Sequence, residues 1–202
     1  MGESFLLVLL LPIILVTIVL HELAHGMVAD FLGDPTPRNA GRLTLNPIKH
    51  LDFFGTLMLV VTRRIGWAKP VPINPMNFEN PLRDMALVGA AGPIMNLFIA
   101  YFLGASLRYG FVDSQSFLSL IFQIAIQMNI GLAVFNLIPV PPLDGSRILT
   151  GILPKDMAMS VIKLEPVGFF ILLFVVFFVP GVIHSTIYPA IEFLYHVFVG
   201  GF

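Results

Sequence analysis

Two histidines four residues apart, with a glutamate directly after the first, mark where this 202-residue chain can do chemistry: His21-Glu22-Leu23-Ala24-His25. On a helix, positions i and i+4 share a face with about 5–6 Å between Cβ atoms, so both imidazoles can reach one Zn²⁺. Glu22 is turned about 100° away from His21. Its carboxylate is set to touch a water on the metal rather than the metal itself. Zinc lowers the pKa of such a water towards neutrality, and the carboxylate takes its proton. A catalytic zinc generally has three protein ligands, so one more is needed. The chain has no Cys, which leaves carboxylates and imidazoles. Asp144 stands out, in Asn136-Leu137-Ile138-Pro139-Val140-Pro141-Pro142-Leu143-Asp144-Gly145. It follows a late apolar segment much as His21 and His25 close the first one. Asp before Gly-Ser-Arg-Ile-Leu is also the pattern of a helix N-cap. Spacing alone leaves ligand and cap both open.

The elements that must hold these residues are membrane segments. Hydrophobic residues make up 57% of the chain and charged residues 11%, against roughly 25% charged in a typical soluble domain. A free soluble globule, a disordered chain and a disulfide scaffold are excluded. A net charge of −1 without a basic run gives no reason to expect nucleic acid as a partner. Apolar spans are expected at about 5–32, 84–107 and 117–138, each long enough for a ~30 Å core. A cleaved signal peptide is not expected at 5–32, because Met1-Gly2-Glu3-Ser4 carries an acid and no positive charge. Between the first two spans, 33–81 is rich in Gly, Pro and Asn. Its apolar run Phe53–Thr62 is too short to cross and is expected to be re-entrant or buried. Trp67 to Pro75 carries three prolines and cannot be helical. Irregular backbone at membrane depth must be buried in protein or line a wet cavity. Val167–Val182 is a further apolar segment, and Ser185–Val199 is expected to lie in the interface or to span. With the N-terminus outside, ten of the 11 Lys and Arg face the cytoplasm, which puts the site toward the cytoplasmic side.

These motifs together resemble the site-2 protease family of intramembrane zinc metalloproteases. The resemblance rests on HExxH in a first transmembrane segment and NxxPxPPLDG in a later one. Ala91-Gly92-Pro93-Ile94-Met95-Asn96 is similar to that family's GxxxN element. Gly41 to Pro47 and Gly66 to Pro72 resemble the short bacterial and archaeal members. The resemblance covers roughly residues 15 to 155. It implies that His21, His25 and Asp144 ligate one zinc per chain, that Glu22 is the general base, and that Asn96 and Asn136 hold or polarise the substrate backbone. The implied fold is an all-α polytopic membrane protein. It has a three-helix catalytic core, a re-entrant or β-hairpin-like loop region and one or two C-terminal helices. Residues 1–165 would form the membrane-embedded metalloprotease core, and 166–202 a C-terminal membrane helix with an interfacial or spanning tail. The substrate would be a transmembrane-helix protein in the lipid bilayer, unwound and paired with an extended edge from 33–81, for which Leu57–Val61 is one choice. No PDZ-like insertion or CBS-type tail is seen. Control of access then falls to the membrane loops, a regulatory membrane partner or prior trimming of the substrate.

Two other classes fit parts of the sequence. A polytopic metal-ion carrier would also place His and Asp in the membrane, but it needs no Glu after His21, and no inverted repeat is seen. A proteolytically silent scaffold would be expected to lack Glu22 or a ligand. Among the remaining polar residues, His50 and Asp52 suit a surface turn better than a second metal site. Glu192 and His196 suit a solvated interfacial pair, and Arg63-Arg64 a contact with anionic headgroups.

Overall fold

The computed structural model describes residues 3–62 and 68–200. The first helix, α1 (Glu3–Phe31), is an aliphatic run with one internal proline, Pro12. It stops at Gly33, whose φ of +106° takes the left-handed turn that ends helices. A short α2 (Thr36–Asn39) follows, then α3 (Phe53–Thr62), α4 (Pro81–Arg108), α5 (Phe117–Asn136), α6 (Asp144–Ile152), α7 (Lys155–Ile162), α8 (Glu165–Phe178) and α9 (Pro180–Val199). Among the described residues there is no strand, only an isolated antiparallel bridge between Leu51 and Ala68. Among the described residues, three single helices are long and apolar enough to cross a membrane: Leu10–Phe31, Pro81–Arg108 and Phe117–Asn136. They match the three expected spans, and the chain is an all-α integral membrane protein.

The hub is α4. Pro81 opens it, and Asp84 reaches back to accept from the Asn80 N–H at 3.0 Å. Its buried face carries Gly89, Gly92, Asn96, Ala100 and Gly104, spaced three or four apart. Small residues on such a stripe let neighbouring helices approach backbone to backbone, and α1, α5, α6 and α9 all pack here. The opposite face exposes Leu87, Ile94, Phe98, Tyr101 and Phe102, which suits lipid.

Two apolar clusters bracket a polar layer. Ala29, Phe78 and Val88 pack at one end of α4, and Ala100, Ile126 and Ile130 at the other, where α9 joins them through Ile191, Leu194 and Phe198. Beside the second cluster Thr17 accepts from Asn129 Nδ2 at 3.1 Å, tying α1 to α5. An unpaired amide in hydrocarbon is costly, so this bond helps to fix the two helices.

Two expectations change. Leu57–Val61 does not form an extended edge, because Phe53–Thr62 is helical. Asp52 starts that helix: its Oδ1 accepts from the Gly55 N–H at 2.8 Å, a turn-initiating bond. The apolar segment 167–182 is not continuous either. Pro180 disfavours helical backbone at the residue before it, and Val179 (φ −129°, ψ 51°) breaks the run into α8 and α9. The last helix, α9, packs along α4 and α5. The sequence expectation for Arg63-Arg64 falls outside the described residues.

Candidate metal centre

One turn of α1 brings His21 and His25 onto the face that meets α4, and the start of α6 adds Asp144. All three are buried. Nε2 of His21 and Nε2 of His25 stand 3.0 Å apart, and Asp144 Oδ2 lies 3.1 and 3.2 Å from them. Asp144 is the first residue of α6 and makes no capping bond to that helix. Of the two roles its sequence allowed, the cap is therefore not the one adopted. Gly145 is the reason Asp144 can sit here: a Cβ on it would collide with the Leu137 and Ile138 carbonyl oxygens. Burial alone would raise the Asp144 carboxyl, but hydrogen bonds and charge from His21 and His25 hold it well below the usual range.

The donor set fits a small divalent cation. His25 Nδ1 lies 2.6 Å from the Val88 carbonyl oxygen. A carbonyl only accepts, so Nδ1 carries the proton and Nε2 presents a lone pair. In the neutral ring that lone pair and the Asp144 carboxylate point at one spot, where a single cation would be held by both. A tetrahedral site with ligands at about 2.0–2.2 Å spaces its donor atoms roughly 3.3–3.6 Å apart, close to the triangle seen. Gly92 on α4 makes the approach possible. A Cβ there would fall within 2.6 Å of ring atoms of both histidines.

Glu22 sits beside the triangle, half-buried. Its Oε2 accepts from the Val71 N–H at 2.9 Å. Val71 belongs to the proline-pinned stretch Lys69–Asn74, which Arg42 holds down. The Arg42 guanidinium is buried and donates to the Lys69 oxygen at 2.5 Å and the Pro70 oxygen at 3.1 Å. At the other end of the stretch, Asp34 accepts from the Asn74 N–H and from Asn77 Nδ2, each at 2.7 Å.

Comparison with known proteins gives the family. YwhC of Bacillus subtilis (strain 168), named as a zinc metalloprotease, is 40% identical over 194 residues, covering 91% of this chain and 87% of its own. The model of "Peptidase family M50" matches residues 112–179, the stretch that contains Asp144. The chain belongs to peptidase family M50. A zinc metalloprotease of Methanocaldococcus jannaschii is 28% identical over 77% of this chain and 37% of its own length. Rip2 of Mycolicibacterium smegmatis, also named as a zinc metalloprotease, is 28% identical over 78% of this chain and 62% of its own. No solved structure matches. The site-2 protease resemblance is borne out at the level of the M50 family.

The other residues singled out in this M50 chain divide. Asn96 is fully buried against His21, with Nδ2 3.1 Å from His21 Nδ1. Asn136 makes no contact with the triangle; its Nδ2 donates to the Leu132 oxygen one turn back at 3.0 Å. His50 and Asp52 do not meet. His50 Nε2 bonds the Thr44 oxygen, while Asp52 starts α3. Among the described residues, His21, His25 and Asp144 are the one cluster of three with metal-binding spacing. Glu192 and His196 are 4.0 Å apart on α9. Sequence reasoning missed the Val71 N–H, the Val88 carbonyl and the Arg42 clamp. The first two are backbone groups that any residue type supplies, and Arg42 looked like one loop cation among several.

Proposed function

We propose that the chain is an intramembrane zinc endopeptidase that cleaves membrane-protein substrates within or next to a transmembrane segment. The observation that carries this is the convergence of His21 Nε2, His25 Nε2 and Asp144 Oδ2 beside a carboxylate, Glu22, that is itself held by a backbone amide. His21, His25 and Asp144 hold one zinc per chain. Zinc, when bound, polarises a substrate carbonyl and lowers the pKa of a water toward neutrality. With Oε2 fixed by Val71, Glu22 uses Oε1 to take the proton of the attacking water. It then delivers that proton to the departing amine nitrogen as the C–N bond breaks.

The rest of the chain prepares the substrate. A transmembrane helix satisfies its own backbone, so it must unwind before its carbonyls can be reached. In extended backbone, residues i and i+2 present N–H and C=O to the same side. Since the Val71 N–H faces Glu22, the Val71 carbonyl and the Ile73 backbone groups form the edge on which an unwound substrate pairs, directly beside the base. An apolar crevice of about 310 Å³ opens between α1 and α5, lined by Ile14, Thr17, Ile18, Met128, Gly131, Leu132 and Phe135. Thr17 lies one turn before His21, and Leu132 one turn before Asn136. The crevice supports lateral approach from lipid, with the half-buried Asn136 amide holding substrate backbone. The N-terminus faces outside and the site opens toward the cytoplasmic side, in keeping with the distribution of Lys and Arg.

The test is cleavage of a single-span model protein in proteoliposomes. Cleavage that stops with a chelator and returns with added zinc supports the reading. Zinc flux across the same vesicles without cleavage would replace it with a carrier.

A further inference from the structure

Both histidines of the candidate metal centre have their Nδ1 atoms met by α4. His25 Nδ1 donates to the Val88 carbonyl, which fixes its tautomer with Nε2 free to bind a metal. His21 Nδ1 meets only the Asn96 side-chain amide, at 3.1 Å. Asn96 is fully buried, and its Oδ1 has no partner. As placed, Asn96 Nδ2 donates to His21 Nδ1. The His21 proton is then on Nε2, where it is donated to Asp144 Oδ2 at 3.1 Å. That is a self-consistent pairing without metal. It also blocks His21 as a ligand, because Nε2 must lose its proton to bind a cation.

Turning the amide end for end resolves this without moving the ring. Oδ1 then occupies the position 3.1 Å from Nδ1 and accepts the Nδ1–H, and Nε2 gains its lone pair. An amide is suited to both states because it carries a donor and an acceptor of nearly equal size and reach. Neither a hydroxyl of shorter reach nor an apolar side chain would serve.

Resting on the zinc reading above, we propose that Asn96 is a positioning residue: its amide selects the tautomer of His21 and so sets the affinity of the centre for zinc. The family resemblance assigns Asn96 to the substrate backbone instead. The geometry argues against that, since no part of the Asn96 side chain reaches open space and one end of it is already committed to the ring. Metal-bound histidines are commonly held by an acceptor on the second ring nitrogen, and loss of that acceptor costs about 10–100-fold in metal affinity. Val88 supplies one such acceptor, and Asn96 supplies the other.

The two roles separate cleanly on substitution. Asn96→Asp keeps an acceptor for Nδ1–H but has no N–H to offer a substrate. Asn96→Leu has neither. The experiment is a competitive zinc titration of the full chain in detergent, with wild type, N96D and N96L, alongside ¹⁵N-histidine spectra of the zinc-loaded forms. Wild type must bind zinc first; if it does not, the zinc reading fails and the proposal for Asn96 falls with it. With wild type binding, N96L is expected to be weaker by about 10–100-fold, and N96D to match wild type or bind more tightly. The wild-type spectra should show His21 protonated at Nδ1, as His25 is. Zinc binding by N96L within about threefold of wild type would overturn the proposal. So would an N96D variant as weak as N96L, or a zinc-loaded His21 protonated at Nε2.

Discussion

Asp144 Oδ2 lies 3.1 Å from Nε2 of His21, a residue 123 positions earlier in the chain. Neither group belongs in a buried apolar setting on its own, and each is brought there by a different device. An uninterrupted aliphatic helix carries His21 into the bundle. The folded-back Leu137–Leu143 loop, allowed to close by Gly145, turns Asp144 inward at the start of α6.

Asp144→Asn should remove the only charged ligand while keeping the side chain's size. The expected outcome is zinc affinity lowered by at least about tenfold, read by competitive titration, with the fold retained in circular dichroism. Unchanged zinc binding would remove Asp144 from the ligand set.

Gly92→Ala tests the contact between α4 and both imidazoles. Its Cβ would sit within 2.6 Å of ring atoms of His21 and His25, so the helices must separate or the rings must turn. Zinc content should drop sharply in the purified variant, and cleavage with it. The neighbouring Ala91→Gly change, away from the rings, should leave zinc content near the wild-type level.

Arg42 acts on Glu22 at one remove, by fixing the two carbonyls that precede the Val71 N–H. Hydrogen bonds to a charged group are each worth about 1.5–3 kcal/mol. Arg42→Ala should therefore loosen Lys69–Asn74 and lower kcat about tenfold or more, with zinc content unchanged. Arg42→Lys should not rescue it, because an ammonium cannot reproduce the guanidinium fork. Loss of zinc in parallel with activity would show a structural role instead.

Asp34 predicts an acid limit for the same loop. Burial alone would raise its carboxyl, but bonds from Thr36, the Asn74 N–H and Asn77 hold it below its ordinary value of 3.8. A lowered folded-state value means the stabilisation is complete above the unfolded value and disappears as pH falls through the folded one. The gap in Tm between wild type and Asp34→Asn should be widest at about pH 5 and above, and should narrow at more acidic pH. A gap that widens on acidification would contradict this.

Much of the site could be read from the chain because the informative residues are rare in an apolar background. His21, His25 and Asp144 are conspicuous, and the helix repeat fixes the first two on one face. The three spans followed from length and composition. The loop region was less legible. The apolar run at 53–62 suits a strand or a helix equally, and in the structure Asp52 opens a helix there by accepting from the Gly55 N–H. The break at Val179 was overlooked because Pro180 sits inside an otherwise unbroken apolar run. Backbone partners such as the Val71 N–H and the Val88 carbonyl leave no trace in residue type. The part played by Asn96 depends on the 3.1 Å contact with His21, across 75 positions of chain.

Glu22 is proposed to do the proton transfer at a zinc held by other residues. Glu22→Gln keeps the side chain's size and still offers an oxygen to the Val71 N–H. The decisive measurement is zinc content and cleavage rate of this variant and wild type, side by side in proteoliposomes. One zinc per chain is expected in both, with cleavage lowered by about 10²–10⁴-fold in the variant. A Glu22→Gln protein that cleaves at the wild-type rate would contradict it.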